Sequence, residues 1–143
     1  MEKAKEADGF VFGTPVYFAH PSGQLLSFLN RVFYSSAVGE LYPVFAGKPG
    51  AAIASARRGG TTAAVDVIQK YFGIASMPIV TSTYWNMVHG MTPDEVRKDL
   101  EGMQTMRNIG RNMAWMLKGF AKQEKETPFA DHVEATHRTD FHH

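Results

Sequence analysis

Hydrophobic positions along this chain fall into short continuous blocks and long helical stripes. Gly9-Phe10-Val11-Phe12 is a block, suited to a strand buried on both faces. Gly50-Ala51-Ala52-Ile53-Ala54-Ser55 is a second, and its small side chains let helices approach a sheet closely. Pro78-Ile79-Val80 predicts a third strand, followed by a loop from Thr81 to Gly90. Between the blocks lie the stripes. Leu25, Leu26, Phe28, Leu29, Val32 and Phe33 recur at spacings of three and four, with Ser22 as cap and Gly39 and Pro43 as stop signals. Val65, Val67, Ile68, Tyr71 and Phe72 mark a second helix. Thr92-Pro93-Asp94-Glu95 is a start signal in which threonine caps, proline takes the first helical position and Glu95 completes a capping box. Val96, Leu100, Met103, Met106, Ile109, Met113, Met116, Leu117 and Phe120 then sustain a stripe for about seven turns. Glu2 to Glu6 suits one helical turn, and no internal repeat is evident.

Strand, helix, strand, helix, strand, helix implies right-handed crossovers and an α/β fold, a parallel sheet with helices on both faces. Residues 1–122 form the predicted domain and 123–143 a polar tail, extended or disordered from Asp131 to His143. In sheets of this kind ligands sit beyond the carboxyl ends of the strands. The predicted loops at those ends are rich in glycine, hydroxyls or aromatics, and that coincidence points to a site.

The first loop, Thr14-Pro15-Val16-Tyr17-Phe18, joins a stiffened backbone to flat apolar surface. It suits either a stacked aromatic ring or a turn packed on the next helix. The second, Ser55-Ala56-Arg57-Arg58-Gly59-Gly60-Thr61, sets amides and two guanidiniums at a helix start, which favours anions and electron-rich carbonyl oxygens. It has neither Walker spacing nor GxGxxG, and a basic surface loop around a tight turn is the plain alternative. In the third, Tyr84 and Trp85 suit a subunit interface or the rim of a planar ligand. Asn86 there either bonds ring heteroatoms or closes the turn, while His89 is structural, lacking a spaced Ser, Cys or acid partner.

Composition narrows the chemistry. The 143 residues are 44% hydrophobic and 20% charged with net charge +1, so no global field recruits nucleic acid or an anionic membrane. No apolar run reaches the roughly 18 residues of a spanning helix, and MEKAKEADG lacks a signal-peptide core, so a cytoplasmic protein is expected. Zero cysteines excludes disulfides, a thiol nucleophile and a cysteine-held iron–sulfur cluster within this chain. His132, His137, His142 and His143 have no ligand spacing, so no metal site is expected. Asp94, Glu95, Asp99 and Glu101 suit a helix start and its solvated face rather than an acid–base pair. No catalytic side chain is assigned, and any chemistry is expected from a cofactor.

DGFVFGTPVYFAHPSGQLLSFLNR resembles the third strand, loop and helix of NADPH-dependent FMN reductases in the flavodoxin-like superfamily. The resemblance continues through ASARRGGTTAA, MPIVTSTYWNMVHG and RNIGRNMAW to RTDF near the end. It implies a flavodoxin-like three-layer parallel sheet that binds FMN across the strand ends. By that resemblance Thr14, Pro15, Val16, Tyr17 and Phe18 line the isoalloxazine. Ser55, Ala56, Arg57, Arg58, Gly59 and Gly60 contact its other edge, and Tyr84, Trp85 and Asn86 close the site, from this chain or beside a neighbouring subunit. The implied activity is hydride transfer from NAD(P)H to the flavin and on to a quinone, free flavin or similar acceptor, in a homo-oligomer (dimer or tetramer). Some iron–sulfur flavoproteins resemble the chain too. Family members begin with a strand, a phosphate loop, a helix and a second strand, whereas here Met1 stands almost at the third strand. The expectation is therefore an N-terminally truncated fold with three of the usual five strands, completed by another chain or a swapped copy. The alternative is a truncated fragment with a non-enzymatic assembly role and weak or no flavin binding.

Overall fold

The computed structural model describes residues 1–37 and 42–123, together with Glu134 and Thr139. Gly39 as a stop signal and almost all of the polar tail lie outside the described residues. The elements run α1 (Glu2–Lys5), β1 (Phe10–Tyr17), β2 (His20–Pro21), α2 (Gly23–Ser36), β3 (Gly50–Ala56), α3 (Thr61–Ile74), β4 (Met87–His89), α4 (Pro93–Lys98) and α5 (Leu100–Gln123). The sheet order is β2-β1-β3-β4. β1, β3 and β4 are parallel as the alternating pattern requires, and β2 is a short antiparallel addition to the end of β1.

Two apolar layers sandwich the sheet. Phe10, Phe12 and Val16 of β1 and Ala52 and Ala54 of β3 meet Leu29 and Phe33 of α2 and Ala64, Val65, Ile68 and Phe72 of α3. On the opposite face Ala51 and Ile53 meet Ile109, Met106, Met113 and Met116 of α5. Alternation within β3 thus serves both layers, because successive side chains leave a strand on opposite faces. Small residues there matter: a Cβ at Gly50 would stand 3.0 Å from the Met77 side chain and 3.2 Å from the Phe72 ring.

Phe45, fully buried in the turn before β3, is an anchor the periodicity does not reveal. It stacks on Phe33 at 4.2 Å between centroids and meets Phe10 at 4.9 Å. A buried aromatic set of this kind contributes beyond its area, by about 0.5–1.5 kcal/mol per pair.

Two features of the sheet differ from the sequence expectation. β1 extends to Tyr17, so most of the expected first loop is strand. The third strand is split: Ile79 bridges Gly50, the chain leaves the sheet at residues 81–86, and pairing resumes where Met87 meets Ala54. Along its outer edge β1 pairs only through Val16 and Tyr17, with β2, among the described residues. Val11, beside Ala51 on the α5 face of the sheet, is nonetheless 55% exposed.

Candidate functional site

The carboxyl end of β1 turns back on itself. Tyr17 and His20 pair across a two-residue turn whose central residues, Phe18 and Ala19, have φ of 51° and 59°. Asn-Gly usually fills such a turn, because both positions need left-handed backbone. A phenylalanine and an alanine there cost on the order of 1–2 kcal/mol each. Phe18 gains no burial in return; it is 103% exposed, with Tyr17 half-exposed beside it. The turn therefore holds strained backbone whose aromatic side chain contributes no buried area.

The hairpin is held from below. Thr14, buried, donates its hydroxyl to the Pro15 carbonyl at 2.7 Å and accepts the Ser22 amide at 2.9 Å. Ser22 in turn accepts the Leu25 amide at 3.3 Å, capping α2 as its position predicts. Thr14 therefore shapes the turn, with its hydroxyl proton already donated within the hairpin.

Beside the hairpin, β3 opens through residues 57–60 into α3. Gly60 caps α3 with φ 93°, and no side chain caps that end. A Cβ on Gly60 would lie 2.8 Å from the Ala19 Cα and 3.0 Å from Val16 Cγ1, so the two loops touch. Helix-end amides without a side-chain acceptor favour negative charge. Arg57 and Arg58 are exposed and form no ion pair among the described residues. Thr61 donates to Met87 Sδ at 3.2 Å, fixing the start of α3 against β4. The structure thus brings Val16 and Ala19 against Gly60, with Tyr17 and Phe18 between them along the hairpin; Ala19 is a contact that sequence offers no signal for.

The true end of the third strand is His89. Its amide donates to Asp99 Oδ2 at 2.7 Å, and its ring Nδ1 stands 3.9 Å from the same oxygen. Asp99 Oδ1 accepts the Gly102 amide at 2.9 Å, capping α5. The Gly102 amide, followed by the amide and ring of His89, holds the Asp99 carboxyl below its ordinary range against the opposing effect of partial burial. Asp99, expected on a solvated face, instead ties β4 to α5.

Tyr84, Trp85 and Asn86 lie on the segment between the two halves of the third strand. The Asn86 carbonyl accepts the Ala54 amide at 3.0 Å, so the segment rejoins the sheet two residues before β3 ends. At about 3.3 Å per residue, that is roughly 7 Å below the carboxyl end of the strand. Asn86 is buried and spends its side-chain amide on the Val80 carbonyl at 3.2 Å, which closes the excursion. Tyr84 and Trp85 border a cleft of about 470 Å³ with Val65, Asp66 and Gln69 of α3. Within one copy these three residues line that cleft beside α3.

The family model for NADPH-dependent FMN reductase matches residues 1–92. This chain belongs to that family. It is 33% identical over 125 residues to an iron-sulfur flavoprotein of Methanocaldococcus jannaschii, covering 82% of this chain and 63% of that protein. An iron-sulfur flavoprotein of Archaeoglobus fulgidus is 30% identical over 128 residues, with coverage of 82% and 63%. The chain thus spans less than two thirds of the length of these relatives. Among solved structures, the WrbA-like flavodoxin from Agrobacterium tumefaciens superposes with a TM-score of 0.53 at 16% identity, over 78% of this chain and 71% of that one. A flavodoxin from the domain Archaea gives 0.51 at 16% identity, over 78% and 69%. These likenesses establish the flavodoxin-like fold. No cysteine occurs in the 143 residues of this FMN reductase family member, so none of them is a thiolate ligand to a cluster. Among the described residues no group of three or more His, Asp or Glu is placed to hold a metal, and no helix is long and apolar enough to cross a membrane.

Proposed function

We propose that the hairpin tip and the 57–60 loop hold the isoalloxazine ring of FMN in an NAD(P)H-dependent oxidoreductase. The observation that carries this reading is the strained, fully exposed Phe18 beside an uncapped helix end. The residues fit the group. Tyr17 and Phe18 offer flat apolar surface to a ring, and Arg57, Arg58 and the first amides of α3 offer donors to an edge that gathers negative charge on reduction. When bound, the flavin supplies hydride acceptance from a reduced nicotinamide and onward transfer to a quinone, free flavin or similar acceptor. The chain's own part is to bind, orient and exclude water. Thr14 and Ser22 fix the hairpin, and Gly60 lets the two loops meet. Family membership supports the flavin itself.

We further propose that the working form is a homo-oligomer. The outer edge of β1 from Phe10 to Pro15 has no strand against it among the described residues, and open edges invite pairing. The same open edge favours the second reading, a chain whose role is assembly. Titration with FMN, followed by flavin absorbance and thermal unfolding, decides between them. A ligand at 100 times its Kd adds about 2.7 kcal/mol to the stability of the folded state. Saturable spectral change with a raised melting temperature is expected. A stable oligomer indifferent to excess FMN would overturn the enzymatic reading.

A further inference from the structure

We propose that the cleft between α3 and the 81–86 segment binds a guanidinium group, independently of the flavin. Four observations converge on that chemistry. First, the segment is rigidly mounted. Ser82 donates to the Thr105 carbonyl at 2.8 Å, Asn108 donates to Thr83 Oγ1 at 3.0 Å, and Asn112 donates to the Thr81 carbonyl at 2.8 Å, all on α5. With the Asn86 bond to Val80, the side chains of Ser82, Thr83 and Asn86 and the backbone of Thr81 all help to hold the segment in place.

Second, the two aromatics this mount presents are left facing outward. Tyr84 and Trp85 are 51% and 59% exposed, and their rings meet edge-on at 4.7 Å with planes 75° apart. Two nearly perpendicular rings offer a cation a π-face and a second wall, the arrangement that favours cationic groups over neutral ones. Third, across the cleft, Asp66 and Gln69 lie one helical turn apart on α3 and neither makes a side-chain hydrogen bond or ion pair among the described residues. Both offer acceptor oxygens. Fourth, the lining contains no Lys, Arg or His, so Asp66 is its one formal charge.

A planar cation with several N–H donors answers all four. It stacks on an aromatic face while its fork of donors reaches the carboxylate. An ammonium ion is a more strongly hydrated point charge and uses the planar wall less well. The group can arrive on a free small molecule or on an arginine of a second copy of this chain; Arg57 and Arg58 are exposed and unpaired there.

The test is an NMR titration of the full chain, following the Trp85 indole N–H, assigned by its loss in Trp85→Phe. N-acetyl-arginine methylamide is the probe, and the citrulline derivative, of the same shape but neutral, is the control. Saturable binding of the arginine probe is expected, at least tenfold tighter than citrulline, with at least tenfold loss in Asp66→Asn. Equal affinity for citrulline, or an unchanged affinity in Asp66→Asn, would overturn the proposal. Asp66 is exposed on α3, and a far-ultraviolet spectrum and melting temperature equal to wild type confirm that this variant folds. Dilution without probe separates the sources. A Trp85 shift that depends on protein concentration and disappears in Arg57→Ala/Arg58→Ala assigns the guanidinium to a second copy, and its absence assigns a free ligand. FMN affinity unchanged in Asp66→Asn keeps this site distinct from the flavin platform.

Discussion

Ala19 packs so closely on Gly60 that a β-carbon on the glycine would come within 2.8 Å of the Ala19 Cα. That contact joins the loop after β1 to the loop after β3, and Gly60 has φ 93° besides. Gly60→Ala therefore meets backbone on one side and left-handed strain on the other. Such strain alone costs on the order of 1–3 kcal/mol. Chemical denaturation should show a loss of at least that size, with weaker FMN binding in the fraction that folds. A variant as stable as wild type would show that the two loops separate freely.

Phe18 allows stability and binding to be moved in opposite directions. Its φ of 51° is strained for phenylalanine and relaxed for glycine, and its ring is fully exposed, so little packing is lost on truncation. Phe18→Gly should leave the melting temperature unchanged or raise it, since relief of about 1 kcal/mol offsets the added chain entropy. FMN affinity should fall roughly three- to tenfold, the equivalent of about 0.5–1.5 kcal/mol of aromatic contact. Parallel loss of both would make Phe18 a structural residue.

Arg57 is exposed in the same region and has no ion-pair partner among the described residues. Surface substitutions of this sort change stability within about ±0.5 kcal/mol. Arg57→Ala should accordingly melt like wild type while binding FMN or reduced nicotinamide less tightly, measured by titration of each. A melting shift of several degrees with both affinities intact would assign Arg57 to the fold.

The sheet and its layers were legible because periodicity reports burial directly. The apolar stripes of α2, α3 and α5 lie where spacings of three and four put them, and the blocks at 9–12 and 50–55 are strands. Ser22 and Thr92 cap as their positions predict. What periodicity cannot carry is a contact between segments distant in sequence. Phe45 is an isolated aromatic in a turn, buried only because Phe10 and Phe33 converge on it. The hairpin at Phe18-Ala19 has no Asn or Gly to announce it, since its turn runs against local preference. The split of the third strand was hidden for a related reason. Asn86 signals a loop locally, and only its bonds to Val80 and Ala54 return the chain to the sheet.

Asp99 makes one contribution to stability that depends on pH. Its carboxylate accepts the Gly102 amide at the start of α5 and the His89 amide at the end of β4. Those bonds form to the charged carboxyl and hold its pKa below the unfolded value, which is about 3.9. Because the folded pKa is depressed, the stabilisation is fully present above the unfolded value and is lost as pH falls through the folded one. Asp99→Asn retains one carbonyl oxygen for Gly102 but turns an N–H donor group toward the His89 amide, leaving that amide unpaired. Loss of a half-buried bond of this kind costs about 1–3 kcal/mol. The difference between wild type and Asp99→Asn should be constant from pH 5 to 7 in urea unfolding and should shrink steadily below about pH 4. A difference that stays the same down to pH 2 would mean that packing around Asp99, rather than its charge, joins β4 to α5.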